Sequence, residues 1–237
     1  MTEAFLRPST QLINLEKVEM FELFQQHFVG GDFTQFELDL SHKDWVILLR
    51  EQGMLKGFTA LQFYDAQLGD QPIRIVYSGD TITDPSIWPK PAVLAQAWAA
   101  AVQQIHQGRS EKLYWLLISS GYRTYRLMSL LYREFYPHYD RPTPPQMTQF
   151  MHQLGHRQFQ GFYHPDPGLV RFPQPQILRP HLQTIPADKL NDPHVAFFLE
   201  KNPGHGQGDE LVCLAEVSPT NLTRAGLRLW QSNYPLQ

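Results

Sequence analysis

Cysteine occurs once, at Cys213, so no disulfide can form within the chain and a secreted disulfide scaffold is excluded. Lysine and arginine number 20 against 23 aspartates and glutamates, a formal net charge of -3. The cationic excess that a phosphate backbone demands is missing, so nucleic acid is not an expected partner. Long apolar runs are missing too. The strongest, Leu113 to Ile118, is far too short to cross a bilayer, so no membrane span is expected. Met1 to Pro8 lacks the charged start and apolar stretch of a secretory leader, which leaves a cytoplasmic address as the expectation. Disorder is excluded by a hydrophobic fraction of 42% against a charged fraction of 18%.

The pattern that is present reads as a mixed α/β chain. Leu15 to Phe28 has apolar residues at helical spacing, and Gly30-Gly31 ends it. Asp32 to Leu40 is ambiguous, with a second short helix as one solution. Three strand segments follow, Trp45 to Arg50, Met54 to Tyr64 and Ile73 to Thr83. The turns between them are short, which predicts an antiparallel meander. Gly57 marks a bulge or a close approach. Ala92 to Ile105 is the clearest helix, with Val93, Leu94, Ala97, Trp98, Ala101, Val102 and Ile105 on one face. Leu113 to Ser119 reads as a strand buried on both sides, and Tyr122 to Phe135 as a helix. A long helical crossover before Leu113 predicts that this strand runs parallel to its neighbour. Proline then clusters from Pro142 to Pro180 in an arm with a helix near Pro145 to Leu154 and a strand near Leu169 to Phe172. A helix from Asp192 to Lys201, a strand at Leu211 to Val217 and a helix at Asn221 to Trp230 complete the chain. The expected division is a core over residues 1–136, with residues 137–237 completing the same domain.

Several residues stand out chemically. In Tyr77-Ser78-Gly79-Asp80-Thr81, a glycine and an aspartate interrupt a strand of the sheet centre. Either a bulge aims Asp80 into a cleft as a base or an amine anchor, or the strand ends there and Asp80 caps a turn. Ser119-Ser120-Gly121-Tyr122-Arg123 lies at the carboxyl end of the buried strand, where α/β proteins favour ligands. The alternative there is a plain helix cap with surface arginines. His152 and His156 share a helical face, but Gln153 stands where the metalloprotease pattern has glutamate, and no metal is expected. Cys213 sits in an apolar strand, as core cysteines do. Gly204 to Asp209 is not followed by Lys-Ser/Thr, so it is no phosphate loop and reads as a flap.

The order helix, three-stranded meander, helix, buried strand, helix, late strand resembles the GNAT (N-acetyltransferase) fold over residues 12–136. One local pattern, Leu131-Tyr132-Arg133-Glu134-Phe135, is similar to the family's helix after the fifth strand. The resemblance implies an acyltransferase with a GNAT-like mixed sheet, an antiparallel meander plus a parallel pair flanked by helices, and a Pro-rich extension. It implies an acyl thioester of coenzyme A or of an acyl-carrier protein as donor, and a small-molecule amine or hydroxyl acceptor. Tyr132 would protonate the leaving thiolate and Asp80 would take the acceptor's proton. Lys90, Ala92, Val76, Ser119 and Ser120 would serve the donor, and Tyr77, Ser78, Gly79, Tyr122 and Arg123 the acceptor. The chain departs from the family at Ile87-Trp88-Pro89-Lys90-Pro91-Ala92, which has no glycine where the phosphate signature belongs. The rival expectations are a non-catalytic module of the same fold and a metal-dependent hydrolase using His152 and His156.

Overall fold

The computed structural model describes residues 2–87 and 92–237. In chain order the elements are β1 (Thr2–Pro8), α1 (Asn14–His27), β2 (Phe28–Val29), α2 (Phe33–Ser41), β3 (Trp45–Glu51), β4 (Met54–Leu68), β5 (Gln71–Thr83), α3 (Ala92–His106), β6 (Lys112–Ser119) and α4 (Tyr122–Leu131). They continue with α5 (Pro145–Phe159), β7 (Tyr163–His164), β8 (Leu169–Val170), β9 (Ile177–Leu178), α6 (Pro180–Gln183), α7 (Pro193–Lys201), β10 (Glu210–Glu216) and α8 (Arg224–Trp230). No described helix is long and apolar enough to cross a membrane.

Eight strands form one sheet in the order β1-β3-β4-β5-β6-β10-β8-β7. The pair β5–β6 is parallel, and every other neighbouring pair is antiparallel. The expected meander and the expected parallel partner for Leu113 to Ser119 are both present. The late strand does not sit at the edge; β10 lies beside β6, so the second half of the chain completes the same sheet.

Strand alternation sorts the core into two faces. Ile47, Leu49, Leu61, Val76, Trp115 and Cys213 pack under α3, α4 and α7. On the opposite face, Val46, Leu48, Phe58 and Ala60 pack under α1 and α2, while Ile75, Tyr77, Leu116 and Val212 pack under α5. The helices form where the spacing predicts. The Asp32 side chain accepts from the Gln35 N–H at 2.8 Å, which settles the ambiguous stretch as α2.

Three differences from the sequence expectations have local causes. Strand β1 is an edge strand, and the C-terminal tail covers it: Leu6 N–H donates to Gln237 O and Gln237 N–H to Ala4 O, each at 3.0 Å. Helix α4 stops at Leu131, not Phe135. Tyr132 is extended and bridges Leu222, and Arg133 N–H donates to Asn221 O at 2.8 Å. Pairing with residues 221–223 therefore wins over continued helix. The Pro-rich arm has the third surprise. It runs back to α1, where β9 pairs with β2 and Arg179 N–H donates to His27 O at 2.8 Å. Arg123 holds the same arm by donating to Leu182 O at 2.8 Å. Pro175 wedges between Gly30 and Gly208, where any Cβ would meet it at 2.7 and 2.6 Å.

Candidate functional site

The parallel ladder of β5 and β6 begins at Ile73–Lys112 and ends at Ser78–Leu117. Strand β5 continues to Thr83, paired to β4, while β6 continues to Ser119, paired to β10. Past Ser78 the two strands have parted, and among the described residues the edge of β5 from Gly79 to Ile82 has no strand partner on the β6 side. The cause lies in the next ladder. Leu61 opposes Ser78 and Thr59 opposes Thr81, so Ala60 alone faces both Gly79 and Asp80. This is a bulge, which bends β5 and turns the strand away from β6. Of the two alternatives for Asp80, the bulge is the one present. The proline-rich arm crosses the open end of this gap, tied to α1 on one side and to Arg123 on the other. There His27 Nε2 lies 3.0 Å from Thr83 O.

On the α1–α2–α5 face of the gap lies a charged cluster. Tyr77 is 6% exposed and meets the Phe159 ring edge-on at 5.7 Å. Lys43 is buried. Its Nζ donates to Asp39 Oδ2 at 2.7 Å and to Asp39 O at 3.1 Å, and sits 5.5 Å from the Tyr77 ring centre. Gly79 is needed here, because a Cβ would lie 2.7 Å from Lys43 Cε. Asp80 is half-buried; burial and the charge on Asp39 push its carboxyl up to about 7 against the pull of Lys43. Glu210, the first residue of β10, is pushed up to about 8 by burial, then by Asp80 and Asp39. Burial, then Asp39, Glu210, Asp80 and Tyr64, raise the Tyr77 hydroxyl well above its ordinary value. A carboxyl that titrates near neutrality suits proton transfer at neutral pH.

The other face is aromatic. Ser78 Oγ accepts from Trp98 Nε1 at 3.0 Å and from Trp115 Nε1 at 2.9 Å. Tyr132 is buried against Trp115, with ring centres 5.8 Å apart, and burial alone raises its hydroxyl.

The expected site residues thus divide. Tyr77, Gly79 and Asp80 gather on one face, while Ser78 and Tyr132 meet Trp115 on the other. Val76 lies short of the gap, paired to both neighbouring strands and fully buried. Ser119 ends β6 at the gap and Ser120 follows it, but Ser119 Oγ donates to Gly121 O at 2.7 Å, a local turn contact. Tyr122 is buried with the Arg123 guanidinium 4.9 Å from its ring centre, and Arg123 is spent on the arm. Ala92 opens α3. Lys90 lies outside the described residues. His152 and His156 share a face of α5 as expected, and both turn to Tyr163, whose hydroxyl is 2.8 Å from His152 Nδ1. Among the described residues no group of three or more His, Cys, Asp or Glu is placed to hold a metal ion. Cys213 is fully buried and its thiol is raised by burial.

Sequence inspection missed Asp39, Lys43 and Glu210. Glu210 carried a signal. It is in register with Val212 and Leu214, so it shares their face. Lys43 carried none, since Ser41-His42-Lys43-Asp44 reads as a polar turn. A hollow of about 580 Å³ lies at the far end of the sheet, between Gln103, Lys112, Glu216 and Trp230, and is remote from the gap.

No protein-family model and no curated protein matches the chain. Among solved structures it is similar to a probable N-acyltransferase from Enterococcus faecalis, with 14% identity and a TM-score of 0.43 over 57% of this chain. The chain spans about a third, 33%, of that protein's length. It is also similar to an acetyltransferase from Trypanosoma brucei, with 15% identity and a TM-score of 0.40, over 60% of this chain and 100% of that one. The GNAT family N-acetyltransferase YhbS from Escherichia coli, solved in complex with CoA, has 12% identity and a TM-score of 0.39, over 55% of this chain and 69% of its own.

Proposed function

We propose that the protein is a GNAT-type acyltransferase that moves an acyl group from a thioester to an amine or hydroxyl acceptor. The observation that carries this reading is the parting of β5 and β6 beside a bulge that holds Asp80 at the opening. A gap with an unpaired strand edge suits an acyl-pantetheine arm, whose amides can bond to free backbone groups. The donor is the thioester of coenzyme A or of an acyl-carrier protein. Its phosphates would lie toward the start of α3, where a helix N-terminus attracts anions.

In this reading the acceptor enters from the Tyr77–Asp80 face and the thioester carbonyl lies in the gap. The acceptor nitrogen or oxygen attacks the carbonyl carbon and loses its proton to the Asp80 carboxylate. The carbon–sulfur bond breaks, and Tyr132 gives its proton to the departing sulfur. Backbone N–H groups at the edge of β5 past Ser78 would stabilise the developing negative charge on the carbonyl oxygen.

The test is release of free thiol from acetyl-coenzyme A, and separately from an acetylated carrier protein, in the presence of a panel of primary amines and alcohols. Asp80→Asn should slow acceptor-dependent release by roughly 100-fold or more while the fold, read by circular dichroism, stays intact. No acceptor-dependent thiol release with either donor would sink the reading.

A further inference from the structure

The Tyr77–Asp80 face holds more charge than one base requires. The register fixes where the extra carboxylate stands. Asp80 lies two residues past Ser78, which pairs with Leu117; Glu210 lies one residue before Leu211, which pairs with Ser119. Both carboxylates stand at the level of the end of β6, one on each side of it. Glu210 alternates with Val212 and Leu214, so it points to the face that Tyr77 occupies. The charge on Asp80 acts on Glu210, and both carboxylates act on the Tyr77 hydroxyl. The side chains of Tyr77, Asp80 and Glu210 have no hydrogen-bond partner among the described residues, although Tyr77 is more than nine-tenths buried. Lys43 does not fill this role, because Asp39 takes its ammonium. From Tyr77 a row of rings in edge or tilted contact leads outward through Phe159 and Phe172 to Phe162, which is 42% exposed.

We infer that Asp80, Glu210 and Tyr77 form a binding site for a primary ammonium group carried on an apolar or aromatic stem. An ammonium has three N–H donors and one positive charge, and the site offers three unpaired acceptors and excess negative charge. The row of rings suits the stem, and the aromatic faces suit the cation. As the acceptor site of an acyltransferase, this rests on the function proposed above; as a cation site, it does not. Two carboxyls in such a setting share a proton when the site is empty. Binding of the ammonium therefore displaces that proton into solvent. Among the described residues the other charged groups acting on the pair are Asp39 and Lys43, from α2 and the turn after it, and Tyr64 from β4 raises the Tyr77 hydroxyl.

The experiment is calorimetric titration of the whole chain with phenethylamine at pH 7, with no thioester present, in two buffers of different ionisation enthalpy. Saturable binding with proton release is expected. Glu210→Gln should weaken it by about tenfold or more and abolish the release, and phenethyl alcohol should bind more weakly by a similar factor. Absence of amine binding, equal binding by the Glu210→Gln protein, or equal binding of the alcohol would each overturn the site. Should Glu210→Gln fail to fold, carbon-13 titration of the wild-type carboxyls serves instead. Their midpoints must fall when the amine is added, and unmoved midpoints overturn the site. Because no donor is present, binding without turnover would count against acyl transfer alone, and turnover without binding against the ammonium site alone.

Discussion

Trp115 donates its indole N–H to Ser78 Oγ at 2.9 Å, at the last rung of the parallel ladder. Trp98 donates to the same oxygen at 3.0 Å from α3. One serine hydroxyl thus satisfies two indoles at the point where β5 and β6 part. Ser78→Ala leaves both N–H groups without that acceptor in a largely buried setting. The expected cost is about 2 kcal/mol, read as a fall in melting temperature of roughly 4–8 °C. An unchanged melting temperature would mean that the two indoles find other acceptors. Adding Trp98→Phe to Ser78→Ala should cost less than Trp98→Phe alone, since the first change already removes the shared acceptor.

Glu210 gives a pH-dependent effect whose sign follows from its raised pKa. The folded state holds a proton at about 8 that the unfolded chain loses near 4.5. Between those values folding is penalised by ionisation, and above about 8 the penalty is complete. The contribution is therefore fully present below pH 4.5 and lost as pH rises through about 8. Asp80, raised to about 7, adds a loss of the same sign. Glu210→Gln removes its part. It should stabilise the protein on the order of 1 kcal/mol at pH 8.5 and leave stability unchanged at pH 4. Denaturant midpoints at the two pH values decide the point. A variant less stable than wild type at pH 8.5 would show that Glu210 is held as a favourable anion.

How much of this was legible beforehand depends on the range of the contacts. The meander and the parallel strand were legible because short turns and a long crossover constrain topology locally. The bulge at Gly79 and Asp80 was visible as a break in strand pattern. Strand β1 was not, because Thr2 and Ala4 are small inward residues and the pairing that makes the segment a strand comes from β3, beyond α1 and α2, with the C-terminal tail covering its other edge. The end of α4 was misplaced for a similar reason, since residues 221–223 compete for Tyr132 and Arg133. Gly155 lies inside α5, where glycine lowers helix propensity. Its absent side chain makes room for Tyr163, whose Cε1 would lie 2.6 Å from a Cβ. The charged cluster draws on α2, β5 and β10, so no window of sequence contains it.

His194 belongs to a second cluster, outside the gap. Its ring meets His138 at 5.2 Å and Tyr139 at 4.6 Å, and its Nδ1 is buried without a hydrogen-bond partner among the described residues. Burial, then the neighbouring His138, lowers its pKa, and burial, then Arg141, lowers that of His138. Both are therefore held neutral in the folded state, and the unfolded chain binds protons first. Stability is lost as pH falls below the unfolded histidine value of about 6.5. His194→Phe keeps the ring contacts and removes both the orphan nitrogen and one titrating group. Its stability at pH 7 should match or exceed wild type, and its decline between pH 7 and 5 should be shallower. A steeper decline would mean that His194 is not the group that senses the acid.

Tyr132 ties the proposed chemistry to one atom. It follows the last residue of α4, buried at 3% exposure with its ring against Trp115. Burial raises the hydroxyl, so it keeps its proton at neutral pH, as a donor to a departing thiolate must. Among the described residues that hydroxyl has no hydrogen-bond partner. The backbone of Tyr132 is held by Met128 and Leu222 through groups that substitution leaves in place. Tyr132→Phe removes the one oxygen and should leave the melting temperature within a few degrees of wild type. If Tyr132 is the acid, turnover on a working thioester should fall by roughly 10- to 1000-fold, and a donor with a more acidic thiol should recover part of the loss, because a better leaving group needs the proton less. Wild-type turnover in Tyr132→Phe, or an equal loss with both donors, would reduce Tyr132 to a ring that packs against Trp115.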